Sequence, residues 1–446
     1  METLKPVYLP MGRTTFHMES ATDYYNRSCK VIKELAPGAE MPQELLTDLD
    51  MLNNYLDEIK NKDIDIAVVQ STTFVDATFT IEIVRKLSCP VLVWCVREPV
   101  IDGSRLRLNS LTGGFAAGNT LSTFGRTFDF VFGNPEEEQV QKKLSAYFKA
   151  ASVVKGLKNL TLGVVGNVPP GFFFGEELSM NLLNVIGTKL ERLDLNSLIQ
   201  EAKELKTGEY EEALAELKEK IFGIEEIEEE QVDKNARFRT VLKKHVEEKG
   251  IKAIASRCWP TVFQEYNAAI CATLSLFTEE GIVSSCEADI GGAISMYIQK
   301  QITGEPPYFG DPVSLDEEKN SIIYWHCGAG ACSLARTDTG ARAGRHPNRK
   351  LGLSLEFGLK DGRVTVCRFG KGPNGYRLFI MAGEALDEPQ KFLGTSVEVR
   401  PDGNAAEIVN SAINEGWEPH FSVVYGDITE ELKAVAKLLN IEVVEY

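Results

Sequence analysis

Apolar and polar positions along this chain fall into three textures. In the first third, compact β-branched runs at 64–69 (Ile-Asp-Ile-Ala-Val-Val), 90–95 and 128–133 have the character of strands buried on both faces of a parallel sheet. Helically spaced apolar residues occupy 24–35, 43–59, 80–87 and 136–150. Strands alternating with helices predict an α/β domain over 1–155. The pattern restarts with a strand at 159–166, charge-rich helices over 196–222 and 227–249, and a strand at 251–255. A helix at 263–277, a strand at 281–286 and a helix at 292–302 complete a second α/β domain over 156–310. After Pro306-Pro307 come short strand candidates at 321–325, 351–359, 363–369, 376–382 and 395–399, punctuated by Gly, Asp and Pro. They predict a β-rich antiparallel barrel or sandwich over 311–446. The strand 421–425, helix 429–439 and strand 441–445 predict that 421–446 returns to the second domain. The expected fold class is thus α/β: two Rossmann-like parallel-sheet domains, then a β-rich domain with a terminal helix docking back.

Composition narrows the function. Single cores stop growing near ~250–300 residues, so 446 residues with 43% hydrophobic content require more than one. A net charge of −17, with acids concentrated over 200–232, argues against nucleic acid as a partner. The chain shows no signal-like start and no apolar run of ~18 residues. A cytoplasmic protein without membrane contact is expected. The nine cysteines form no Cys-x-x-Cys pair, which points to buried reduced thiols rather than disulfides or zinc.

Candidate chemistry gathers in three places. The run Cys286-Glu287-Ala-Asp289-Ile-Gly291-Gly292 ends a buried strand in two carboxylates spaced by two residues. On an extended chain that spacing puts Glu287 and Asp289 on one side, at the strand end where α/β clefts form. The bland alternative is that one carboxylate caps the next helix and the other is solvated. Glu265 follows Arg257-Cys258-Trp259-Pro260 and reads locally as an ordinary helix-start carboxylate. His420, in Pro419-His420-Phe421, opens a buried strand and reads equally as a core residue or a ligand. Carboxylate oxygens with an imidazole suit Mn2+ or another divalent ion. Such an ion with a carboxylate beside it suits aldose–ketose isomerisation through an enediol.

The Glu-x-Asp strand end and the C-terminal His-x-x-x-x-x-Gly stretch resemble the fucose and arabinose isomerases, fucose isomerase above all. In that family a Glu, an Asp about two dozen residues later and a late His hold manganese. The resemblance implies Glu265, Asp289 and His420 as metal ligands, with Glu265 and Asp289 also moving the proton. It implies a sugar substrate and a homo-oligomer whose active site is shared between subunits, and it leaves Glu287 as a rival ligand.

Further expected sugar contacts are Arg13 and Gln70 at strand ends of the first domain, and Trp259 and His326 beside the acidic cleft. The loop 336–350 concentrates Arg336, Arg342, Arg345, His346, Arg349 and Lys350 in an acidic chain. It reads either as a solvated, salt-bridged loop or as the recognition element for an anionic, for instance sulfonated, hexose through Arg345 and His346. Two other classes compete. One is a non-catalytic sugar-binding protein. The other is a nucleotide-binding enzyme, for which Gly163-Val-Val-Gly166 lacks the residues of a phosphate loop.

Overall fold

In the computed structural model, which describes residues 3–446, the first apolar runs form parallel strands β1 (Pro6–Met11), β2 (Ile66–Ser71), β3 (Val91–Cys95) and β4 (Phe128–Phe132), in that spatial order. Strands β1 to β3 are buried at every position, as strands covered on both faces must be. Leu9, Val69 and Val93 share a core with Leu52 and Leu56 of the helix Leu49–Ile59 and Phe79 and Ile83 of the helix Ala77–Lys86. The first of these helices starts later than its periodicity predicts. Residues before it run beside β1, with Leu46 N donating to Pro10 O, and Asp48 then caps the helix by accepting from Met51 N.

The contacts divide the chain into two compact units: Met1–Gly156 with Glu430–Asn440, and Leu157–Thr429 with Ile441–Tyr446. Residues 157–310 and 311–429 therefore lie in one unit. Its parallel sheet is ordered β6-β5-β7-β8, from β5 (Thr161–Val165), β6 (Lys189–Leu193), β7 (Ala253–Ser256) and β8 (Val283–Cys286). A nine-stranded mixed sheet follows. It comprises β9 (Tyr308–Asp316), β10 (Ser321–His326), β11 (Arg342–Gly344), β12 (Ser354–Gly358), β13 (Gly362–Gly372), β14 (Gly375–Ala385), β15 (Thr395–Pro401), β16 (Phe421–Tyr425) and β17 (Glu442–Glu445). Antiparallel pairings run from β15 through β10, β9, β16, β13 and β14 and back to β15, a closed circuit. Val364, Val366, Phe379, Met381, Val397 and Val423 from these strands share one buried cluster. No helix among the described residues is long and apolar enough to cross a membrane.

Two departures from the sequence pattern shape the site. The helix expected over 263–277 is broken: a π-turn spans Val262–Tyr266, Asn267 is left-handed (φ 49), and a helix resumes at Cys271–Glu279. The intervening backbone pairs sideways instead, with Ala269 N donating to Gly352 O and Asn235 Nδ2 to Ala269 O. The strand β9 was hidden by its own Gly310-Asp311-Pro312. Its ladder with β10 pairs Tyr324 with Pro312 but Ile323 with Ser314, so Val313 is an extra residue that bulges where the proline cannot donate.

One glycine positions the end of β10. Gly328 has φ +124, and a Cβ there would collide with Ser354 Oγ and the Leu355 backbone. Gly328→Ala is expected to cost about 2 kcal/mol or more. A lowered urea midpoint with unchanged far-UV circular dichroism would check this, and an unshifted midpoint would contradict it.

Candidate active site

The site is assembled in the second unit from the end of β8 and one end of three neighbouring strands. β8 stops at Cys286, and Glu287 (φ 60) and Ala288 (φ 55) then turn left-handed. The chain is not extended here, so Glu287 and Asp289 do not share a side as the extended spacing predicts. Non-glycine residues in this region are strained and need surrounding structure to hold them. Asp289 caps the helix Ile290–Thr303, its Oδ1 accepting from Gly292 N at 2.9 Å.

Asp289 is fully buried and so is Arg368 of β13, whose Nη1 and Nη2 reach the two carboxylate oxygens at 2.6 and 3.0 Å. The bare α-carbons of the helix's first turn make room. A Cβ on Gly291 would lie 2.7 Å from Phe369 O and 3.0 Å from Arg368 Nη2, and one on Gly292 would enter the Phe309 ring. The glycines expected to turn the chain therefore serve as clearance.

His420, just before β16, places Nδ1 at 2.8 Å from Asp289 Oδ2. An ionised carboxylate only accepts, so the proton sits on Nδ1 and Nε2 faces the opposite way. There Nε2 meets Glu287 Oε2 at 2.9 Å and Asp311 Oδ1 at 3.1 Å. Asp311 lies on β9, between the strands that carry His326 and His420: it pairs with Trp325 of β10, and its neighbour Gly310 pairs with Phe421 of β16. Glu287, His326 and His420 each offer one donor atom, and those atoms lie within 4.8 Å of one another. Asp311 Oδ1 and His326 Nδ1 are buried and make no hydrogen bond. Oxygen and imidazole donors with unengaged lone pairs fit a divalent ion of the manganese type.

The electrostatics are polarised. Burial alone would push the His420 imidazolium down, but Asp289, Glu287 and Asp311 raise it to about 10. Burial disfavours the Asp289 charge, yet Arg368 and His420 hold its carboxyl well below the usual range. Glu287 is likewise lowered despite burial, through His420 and His326. Asp311 moves the other way, raised by burial and by the charges of Glu287 and Asp289 against the pull of the two histidines. Burial lowers His326. Aromatic rings close the surroundings: Phe309 and Phe174 lie 4.8 and 5.1 Å from the His420 ring, and Trp259 Nε1 donates to Glu287 Oε1 at 2.9 Å.

Residues 8–158 match the fucose/sulfoquinovose isomerase N-terminal domain, and residues 341–446 the L-fucose isomerase C-terminal domain. The chain is 44% identical over 447 residues to the sulfoquinovose isomerase of Priestia aryabhattai, covering 100% of both chains. The chain belongs to the fucose/sulfoquinovose isomerase family. With that it is an aldose–ketose isomerase, and the non-catalytic sugar-binding alternative is set aside. The sulfoquinovose isomerase of Clostridium sp. (strain MSTE9) is 42% identical over 449 residues, again covering 100% of both chains. Among solved structures, a glucose-galactose binding protein from Geobacillus stearothermophilus spans 68% of this chain and 93% of its own at 12% identity. Its TM-score of 0.18 carries no argument.

The donors that converge are not the trio implied by the resemblance. His420 is among them, and His326, expected as a sugar contact, joins it. Asp289 stands behind His420 with both oxygens engaged. Glu265 is exposed on the π-turn and outside the cluster. Glu287 and Asp311 are about two dozen residues apart, the same separation as Glu265 and Asp289. The family spacing is present in the sequence twice, and the Gly-Asp-Pro around Asp311 lacks the pattern of a strand.

Of the other expected contacts, Trp259 touches Glu287. His346 is buried edge-on against Phe263 at 4.9 Å, and burial, helped by His326 and Arg349, pushes it down to about 4. Arg345 is paired with Glu228 at 2.9 Å, and Arg342 and Arg336 also face carboxylates, the solvated-loop reading of that run. In the first unit, Gln70 is fully buried with Tyr8, Ser28 and Thr72 as partners, and Arg13 is paired with Asp76.

Two outcomes are expected. Asp289→Asn, which weakens the hold on Nδ1 of His420, should lower manganese affinity roughly 10- to 100-fold, measured by titration calorimetry; unchanged affinity would contradict the orienting role. His420 binds its proton more tightly folded than unfolded, where its pKa is about 6.5. Its contribution to metal-free stability is full below that pH and is lost as pH rises through about 10. Urea midpoints across this window should fall for the metal-free protein and fall less for His420→Gln.

Proposed function

We propose that this protein interconverts the aldose and ketose forms of a 6-sulfonated hexose through a cis-enediol, using a divalent ion held by Glu287, Asp311, His326 and His420. The convergence of two carboxylates on Nε2 of a histidine whose other nitrogen is fixed by Asp289 carries the metal reading. The sulfonated substrate is taken from the names of the relatives, which this chain matches end to end. An ion bound there supplies positions for two neighbouring sugar oxygens and polarises the carbonyl.

The chain's own groups do the rest. Geometry separates the two carboxylates: Asp311 Oδ1 is buried without a hydrogen bond, whereas Glu287 is held by the Trp259 indole. Asp311, in its ionised form, takes the proton from C2 and returns it to C1, while the hydroxyl proton passes from O2 to O1 and the enediol collapses to the ketose. Glu287 stays ionised and is steered by the Trp259 indole. Asp289 and Arg368 keep His420 in one tautomer throughout. Phe174 and Phe309 exclude water from the exchange. The working form is a homo-oligomer in which another copy's first unit covers this site. The exposed Ile101 and Phe115 of that unit supply apolar surface for such a contact.

The test is proton NMR in deuterated water with 6-deoxy-6-sulfoglucose. Ketose formation with deuterium incorporation, abolished by a chelator and restored by manganese, is expected; turnover that survives complete metal removal would overturn the metal reading. Glu287→Gln and Asp311→Asn should each lower kcat at least about a hundredfold, while Glu265→Gln stays near wild type. A Glu265→Gln collapse would return the assignment to the pair implied by the resemblance.

A further inference from the structure

Given a sulfonated substrate, on which this inference rests, some cation must meet its charged end, and the arginine-rich loop has mostly spent its charges on carboxylates. Arg257 has not. It lies just past β7 and is half-buried, with one side-chain hydrogen bond, from Nε to Trp259 O at 3.2 Å, and no ion pair among the described residues. Its stem is seated on Gly166 at the end of β5, where a Cβ would come within 3.4 Å of Arg257 Cβ and 3.5 Å of its Cδ. Both terminal nitrogens are left as an open fork, the geometry that grips a tetrahedral oxyanion in two places.

The location suits a sugar's far end. Arg257 holds the carbonyl of Trp259, and the Trp259 indole holds Glu287, one of the clustered donors. Phe172 meets the same indole edge-on at 5.3 Å. Arg257 is thus linked through Trp259 to the Glu287–His420 cluster, the end at which the proposed function places C1 and C2 of the hexose. Within the 336–350 loop the one arginine with no carboxylate partner among the described residues, Arg349, places its guanidinium over the Phe263 ring, 5.8 Å from the centroid. We infer that Arg257 is the specificity-determining residue that binds the sulfonate of the substrate.

The experiment compares wild type with Arg257→Leu, Arg257→Lys and Arg349→Leu, all manganese-loaded. It measures kcat and KM for 6-deoxy-6-sulfoglucose and the inhibition constant of a neutral hexitol. Arg257→Leu should raise KM roughly ten- to hundredfold with kcat little changed. Arg257→Lys should recover part of the loss, and the neutral hexitol should inhibit all forms equally. An unchanged KM, a parallel loss of hexitol binding, or a loss confined to Arg349→Leu would overturn the assignment. A wild-type enzyme inert toward the sulfonated sugar would overturn the substrate reading itself before any variant is compared.

Discussion

The buried contact between Asp289 and Arg368 is the constraint on which the site depends. Removing a carboxylate and a guanidinium from water costs several kcal/mol per ion, and only near-complete hydrogen bonding offsets it. Asp289 meets that condition with four donors: two from Arg368, the Gly292 amide and His420 Nδ1. The same atoms tie together four parts of the second unit, namely the end of β8, the first turn of the next helix, strand β13 and the start of β16. The pair thus fixes these parts relative to one another and aims an imidazole.

Consequences follow in order of distance from that pair. Because Asp289 takes the Nδ1 proton, His420 presents Nε2 to Glu287 and Asp311. Because the helix begins at Asp289, the two residues before it must turn left-handed, and that turn carries Glu287 toward Nε2 rather than along the sheet. Because Gly291 and Gly292 lack side chains, Arg368 and Phe309 can approach the helix. Strain at Glu287 and Ala288 is held by packing around a fully buried neighbour, the usual condition under which such conformations persist.

Much of the architecture was legible from periodicity. The apolar runs at 64–69, 90–95 and 128–133 predict strands, and each falls on one: the first two on buried parallel strands and the third on a partly exposed edge strand. The short strands after residue 306 declared themselves through turn residues. What was not legible depended on pairing between distant segments. The helix through 263–277 fails because backbone groups at 267–272 find partners near 235 and 352, which local spacing does not record. The strand carrying Asp311 exists because a bulge absorbs Pro312. His420, Glu287 and Asp289 are visible as candidates in the sequence, and Asp311 is not. A carboxylate at a helix start looks the same in sequence whether it faces a cleft or an arginine from another strand.

The central claim is that Asp289 orients His420 while Glu287, Asp311, His326 and His420 supply the donor atoms. An anomalous difference map of manganese-loaded crystals, recorded at the manganese absorption edge, tests it most directly. The account predicts a single strong peak bounded by Glu287, Asp311, His326 and His420 Nε2, with Asp289 still bonded to Nδ1 and Arg368. A peak coordinated by Glu265 and Asp289, with Arg368 displaced, would contradict it.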